Sequence, residues 1–246
     1  MRTKKSEINY VSCDNCEMDP LCRPIEVAGK SLDLIEGVLH RRELIKKGKT
    51  LFRVGDAFNS FQSISSGSFK LVVPGNPDKV AGFCFSGELM DAGAMYTGSY
   101  CYDAVALEDS YVCAIPRESV EELGRQIPDF QKRLIELMSE QLFHVSRILT
   151  LLAGRRTADE RMAAFLVGIS IRYQERGYPA EQFRLSMGRE DIACYLGLVK
   201  STVSRILTRF HKQGLIASSG KHFQLNDIDE LSRLAGISNC VSAKAR

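Results

Sequence analysis

The sequence predicts an α+β chain in which an N-terminal β-roll, a long helix and a C-terminal winged helix-turn-helix follow one another. Three observations predict it. From Leu51 to Ile115 short apolar and β-branched runs alternate with turn-rich clusters. From Pro128 to Leu152 apolar residues recur at a three-and-four spacing, and between Arg189 and Leu207 the spacing is that of two helices crossing over a tight turn.

At 246 residues the chain exceeds an ordinary single domain, so two units with separate cores are expected. The expected partition is a cysteine-rich segment at 1–29, the roll at 30–116, the connecting helix at 117–154 and the winged helix-turn-helix at 155–246. No apolar run reaches the roughly 18 residues that cross a bilayer. The basic, polar stretch from Met1 to Asn9 is not followed by the apolar core of a signal peptide, so a cytoplasmic protein with no membrane partner is expected.

In the roll, the turns fall at Val54-Gly55-Asp56, Ser65-Ser66-Gly67, Pro74-Gly75-Asn76-Pro77-Asp78 and Phe85-Ser86-Gly87. In the long helix, Phe130, Leu134, Met138, Gln141/Leu142, Val145, Ile148/Leu149 and Leu152 form the seam. Such a seam packs on its own domain or pairs with a copy of itself. Because the helix joins two domains and two-fold DNA readers need a dimer axis, a homodimer is expected, with Leu134, Met138, Val145, Leu149 and Leu152 at its interface. Gly154-Arg155-Arg156-Thr157 is the expected hinge, and the helix after it runs from Ala158 to Gln174.

In the helix-turn-helix, Ala193 is small where two helices cross and Gly197 gives the turn its backbone freedom. Ile192, Leu196, Leu198, Val203 and Ile206 form the buried wedge. With the second helix starting near Val199, Lys200, Ser201, Ser204, Arg205 and Arg209 point away from that wedge. These side chains suit the major groove of double-stranded DNA, where Arg bonds guanine twice and Ser bonds several base edges; Lys212 and Lys221 suit phosphates. Charge agrees, for Arg155 to Arg246 carries 15 Lys or Arg against 9 Asp or Glu, while the first 154 residues carry 18 against 21. Downstream, Gly214 to Ala217 and His222 to Leu225 flank a turn and complete a wing. The four histidines are scattered, none beside a nucleophile or metal pair, so an enzyme is not expected.

Eight cysteines in a chain without a secretion signal argue against a disulfide scaffold, because the cytosol keeps thiols reduced. Cys13, Cys16 and Cys22 put three soft ligands on one short loop. Such a loop holds zinc or an iron-sulfur cluster and wants a fourth ligand from elsewhere; spacing alone does not choose between them.

Taken together, these features resemble the Crp/Fnr regulators: the element order, the string Lys47-Gly48-Lys49-Thr50-Leu51-Phe52 followed by Gly55-Asp56, and the cysteine spacing. Within that family the chain is most similar to the FNR branch, regulators of fumarate and nitrate reduction. The resemblance spans Cys13 to about Gly236. It implies a cyclic-nucleotide-binding-like roll serving as a sensor, a dimer on a palindromic operator, and RNA polymerase as a partner. It also implies an oxygen-labile 4Fe-4S cluster held by Cys13, Cys16, Cys22 and one late cysteine preceding Ile-Pro, here Cys113.

Departures from the family pattern are informative. The family leucine before the third cysteine is present as Leu21, but the small residue after the second is Glu17. The family's Glu-x-x-Ser-Arg reader is Ser201-x-x-Ser204-Arg205, so its carboxylate is lost. The acidic residue that opposes its own copy in the dimer seam aligns with Val145. Gly87-Glu88-Leu89 echoes the phosphate cassette of the nucleotide-binding branch, yet Gly98 to Asp103 contains no basic residue to hold a cyclic phosphate, which disfavours cyclic AMP.

Overall fold

A computed structural model of the chain describes residues 41–75, 79–126, 128–152 and 157–236. Two compact units emerge, Met1–Gln141 and Leu142–Arg246, and each is taken by itself.

The first unit is a roll of two antiparallel four-stranded sheets. One has the order β1-β8-β3-β6, from Arg41–Ile45, Ser110–Pro116, Ser60–Ser66 and Leu89–Met90; the other is β2-β7-β4-β5, from Thr50–Phe52, Asp103–Ala106, Ser68–Val72 and Val80–Phe85. Alternating inward residues fill the space between them, with Phe61, Ile64, Phe69 and Met90 inaccessible to solvent. Strand β1 lies upstream of the stretch that alternation marks. Its Arg-Arg-Glu-Leu-Ile is an edge strand on which Glu43 and Leu44 are exposed.

At the β3–β4 corner Gly67 has φ +97°, and a Cβ there would lie 2.1 Å from Ser110 Oγ. Only glycine fits. Two short helices complete the roll, α1 at Ala94–Thr97 between β6 and β7 and α2 at Arg117–Gln126 after β8.

The long helix α3 spans Pro128–Leu152, as the apolar spacing requires. Its first turns are anchored on the roll: Phe130 and Leu137 are buried in the roll's core, and Leu134 and Met138 are partly buried against it. Ile135, Leu142 and Phe143 stay exposed. Two of the residues assigned to a dimer seam, Leu134 and Met138, therefore have apolar partners within their own unit.

In the second unit α4 (Ala158–Glu175) starts at a capping box: Thr157 Oγ1 accepts from Glu160 N–H while Glu160 accepts from Thr157 N–H. Next come β9 (Gln182–Arg184), α5 (Arg189–Leu196), α6 (Lys200–Lys212), the hairpin β10 (Ile216–Ser219) and β11 (His222–Leu225), and α7 (Ile228–Leu234). The hairpin and β9 form a three-stranded sheet in the order β10-β11-β9. Met162, Leu166 and Ile169 of α4 are fully buried, as is Phe210 of α6. Among the described residues no helix is long and apolar enough to cross a membrane.

Candidate nucleic-acid interface

The turn between α5 and α6 is built from the sequence features that predict it. Gly197 caps α5 in the left-handed region at φ 63°, and Leu198 N–H closes back on Ala193 O at 2.8 Å. Arg161 of α4 donates to Leu196 O at 2.7 Å, holding the turn from behind. Ile192, Leu196, Val203 and Ile206 of the expected wedge are buried, as is Ala193 at the crossing, while Leu198 is only partly buried.

Helix α6 begins after Val199, which caps it without a side-chain hydrogen bond and is itself 64% exposed. Of the expected readers, Lys200, Ser201, Arg205 and Arg209 are exposed and Ser204 is partly so. They share one face, but their hydrogen bonds differ. Lys200 Nζ donates to Glu190 Oε2 at 3.2 Å, and Arg205 Nη2 to Thr202 Oγ1 at 3.1 Å within the helix. Ser204 Oγ accepts from Arg189 Nη1 at 3.0 Å.

Arg209 forms an ion pair with Asp159 in the first turn of α4. Lys212 is exposed, whereas Lys221 on the wing donates to the carbonyl of Ser186 and so braces the sheet. Sequence reasoning missed Arg189, Asp159 and Arg161. Arg189 opens the helix-turn-helix motif and was open to notice; the other two lie in a helix read as scaffold.

On the roll, Cys13, Cys16 and Cys22 lie outside the described residues. Cys113 is a free, partly exposed thiol on β8, across from Arg42 on β1 and Ser63 on β3. It shares a strand face with the exposed Tyr111, opposite to the buried Val112. Cys84 is buried, and Cys101 and Cys194 are partly exposed. Among the described residues, no three metal-ligating side chains gather.

The stretch from Gly98 to Asp103, which carries no basic residue, packs into the roll through Tyr100. Tyr100 is buried, stacks on Phe52 with centroids 3.7 Å apart, and donates its hydroxyl to Ser60 O at 2.9 Å. Asp91, at φ 45°, accepts the N–H of Cys101 at 2.8 Å. Burial pushes the Asp91 carboxyl above the usual range, and the Cys101 N–H opposes that rise. Glu88 is buried too, its Oε2 accepting from Phe85 N–H at 2.9 Å, so it closes its own turn.

Residues 160–234 match the family described as Crp-like helix-turn-helix domain, and residues 42–126 match the cyclic nucleotide-binding domain. The chain is 40% identical over 226 residues to the transcriptional activator protein anr of Pseudomonas aeruginosa, covering 91% of this chain and 92% of that protein. It is 36% identical over 228 residues to the fumarate and nitrate reduction regulatory protein of Escherichia coli, covering 92% and 91%. It is also similar to the structure of FixK2 from Bradyrhizobium japonicum, with a TM-score of 0.68 and 26% identity over 80% of this chain and 97% of that one. With a helix-turn-helix that presents a polar, cationic face and relatives matched over nine-tenths of its length, the chain belongs to the Crp/Fnr family of DNA-binding transcription regulators, which are not enzymes.

Proposed function

We propose that this regulator responds to oxygen or redox state, and that Cys13, Cys16, Cys22 and Cys113 together hold a 4Fe-4S cluster. The observation that carries the reading is the position of Cys113: a free thiol, partly open to solvent, on the outward side of β8. The donor set suits the group, since four thiolates complete the ligation of such a cluster. Of the other described cysteines, Cys84 is buried and Cys101 is tied to the Asp91 anchor through its N–H. When bound, the cluster supplies an oxygen-labile redox centre.

The chain's own residues translate its presence. Cys113 lies three residues before the end of β8, whose Pro116 runs directly into α2, and α3 follows. Four thiolates in one ligand set would tie the N-terminal segment to the strand that leads into these helices. On α3, Ile135 and Leu142 are exposed and one heptad apart, and Val145, Leu149 and Leu152 continue the seven-residue repeat. A second copy would dock along this seam, placing two α6 helices on a palindromic site in double-stranded DNA. The name of the anr protein, a transcriptional activator, supports an activating role; RNA polymerase as the partner and the cytoplasm as the compartment belong to the same proposal.

The test is purification without oxygen, followed by visible absorption and iron and sulfide content. The expected result is a brown protein with about four irons per chain. Replacing Cys13, Cys16, Cys22 or Cys113 by Ala should remove the cluster, whereas Cys101→Ala should keep it. A colourless zinc protein, or a full cluster in Cys113→Ala, would overturn the assignment.

A further inference from the structure

We propose that Arg189 is a positioning residue that fixes the hydrogen-bonding polarity of Ser204 and so decides which base edge this hydroxyl reads. The inference rests on Ser204 being a base reader. Arg189 opens α5, and the turn at Gly197 brings its guanidinium back across α6, where Nη1 donates to Ser204 Oγ at 3.0 Å. Arg189 is exposed and Ser204 partly exposed, so the pair lies at the surface that α6 offers to DNA.

A serine hydroxyl carries one proton and two lone pairs, and unaided it bonds a donor or an acceptor on a base equally well. Guanidinium has donors only. Its N–H occupies one lone pair of Ser204 Oγ, and its positive charge makes that oxygen a poorer acceptor and its proton a better donor. The hydroxyl is thereby set as a donor. Base edges that present acceptors, thymine O4 or guanine O6 and N7, are favoured. Cytosine, which presents its N4 amino group, meets an oxygen already engaged and facing a like partial charge.

This matters more here than it would beside a carboxylate reader, because the position one turn earlier is Ser201. Two hydroxyls with no fixed direction would leave Arg205 as the main source of discrimination. The Arg189 contact gives one of them a direction.

The experiment uses the full chain, with selection from random duplexes followed by affinities over a salt series, for wild type, Arg189→Met, Arg189→Lys, Ser204→Ala and the Arg189→Met/Ser204→Ala pair. Arg189→Met should relax the preference for an acceptor edge over cytosine at one base pair of each half-site by about three- to tenfold, the worth of one hydrogen bond. Ser204→Ala should relax the same position by a similar factor, and the pair should add nothing further. Arg189→Lys, which keeps a donor and its charge, should retain the preference.

If Arg189→Met weakens every sequence alike, with a salt slope lower by about one for each protomer and preferences intact, then Arg189 is a phosphate contact and the proposal fails. A change in Ser204→Ala with none in Arg189→Met likewise overturns the proposal while leaving Ser204 as a reader. Unaltered preference in Ser204→Ala overturns both.

Discussion

Arg209 on α6 and Asp159 in the first turn of α4 form an ion pair across fifty residues of sequence. It couples α6 to α4 within the second unit, and it occupies a cation that the exposed face of α6 would otherwise offer to DNA. Exposed pairs of this kind contribute little stability, so the contact can be removed without unfolding. Asp159→Asn should free Arg209 for the phosphate backbone. Affinity should rise for all sequences alike, and the slope of log affinity against log salt should steepen by about 0.9 for each protomer of the bound dimer. Fluorescence anisotropy at several salt concentrations checks this; an unchanged slope would show that Arg209 does not reach a phosphate.

Ser201 stands where the family carries a carboxylate, and Ser201→Glu should restore what a carboxylate reads. A carboxylate accepts from cytosine N4, so the variant should gain about 1 to 3 kcal/mol of discrimination at one base pair of each half-site. Selection from random duplexes would report it as enrichment of a single position. Equal enrichment in the wild type would mean that another residue already performs the reading.

By the family resemblance, Val145 stands where an acidic residue would repel its own copy across the dimer seam. Exchange of a like-charge pair for an apolar one favours association, on the order of 1 to 3 kcal/mol per side chain buried. The cluster-free protein should therefore remain substantially dimeric at micromolar concentration, and Val145→Asp should dissociate it. Sedimentation velocity separates the two states, and a wild-type monomer would contradict the expectation.

Gly67 is confined by backbone as well as side chain: a Cβ would lie 2.1 Å from Ser110 Oγ and 2.8 Å from Ser110 Cα. Ser110 is fully buried, so it has no room to retreat. Gly67→Ala combines this overlap with a left-handed φ and should destabilise the roll by about 3 kcal/mol. Urea unfolding followed by fluorescence and circular dichroism measures it, and a loss under about 1 kcal/mol would mean the corner relaxes freely.

Local patterns in the sequence carried the elements, and tertiary neighbours decided the rest. The helix-turn-helix was legible because its wedge, small residue and turn glycine are all set by positions within about twenty residues of one another. On α3 the three-and-four repeat gave the helix but not its partner. Leu134 and Met138 satisfy the repeat and yet pack on the roll, while the neighbouring Ile135 is exposed. Periodicity marks an apolar stripe and is silent on what covers it. Arg209 and Lys221 read equally well as free cations. Each is engaged by a group far along the chain, Asp159 and the Ser186 carbonyl, which no local window contains. The cysteine loop rests on its spacing alone, since Cys13, Cys16 and Cys22 lie outside the described residues and only Cys113 among the expected ligands is placed.

The interior of the roll carries one last consequence. Tyr100 stacked on Phe52, and Asp91 accepting the Cys101 N–H, clamp two consecutive residues of one loop by different means, an apolar stack and a hydrogen bond to the backbone. A substitution at either anchor leaves the other in place, so the path of this loop is doubly determined.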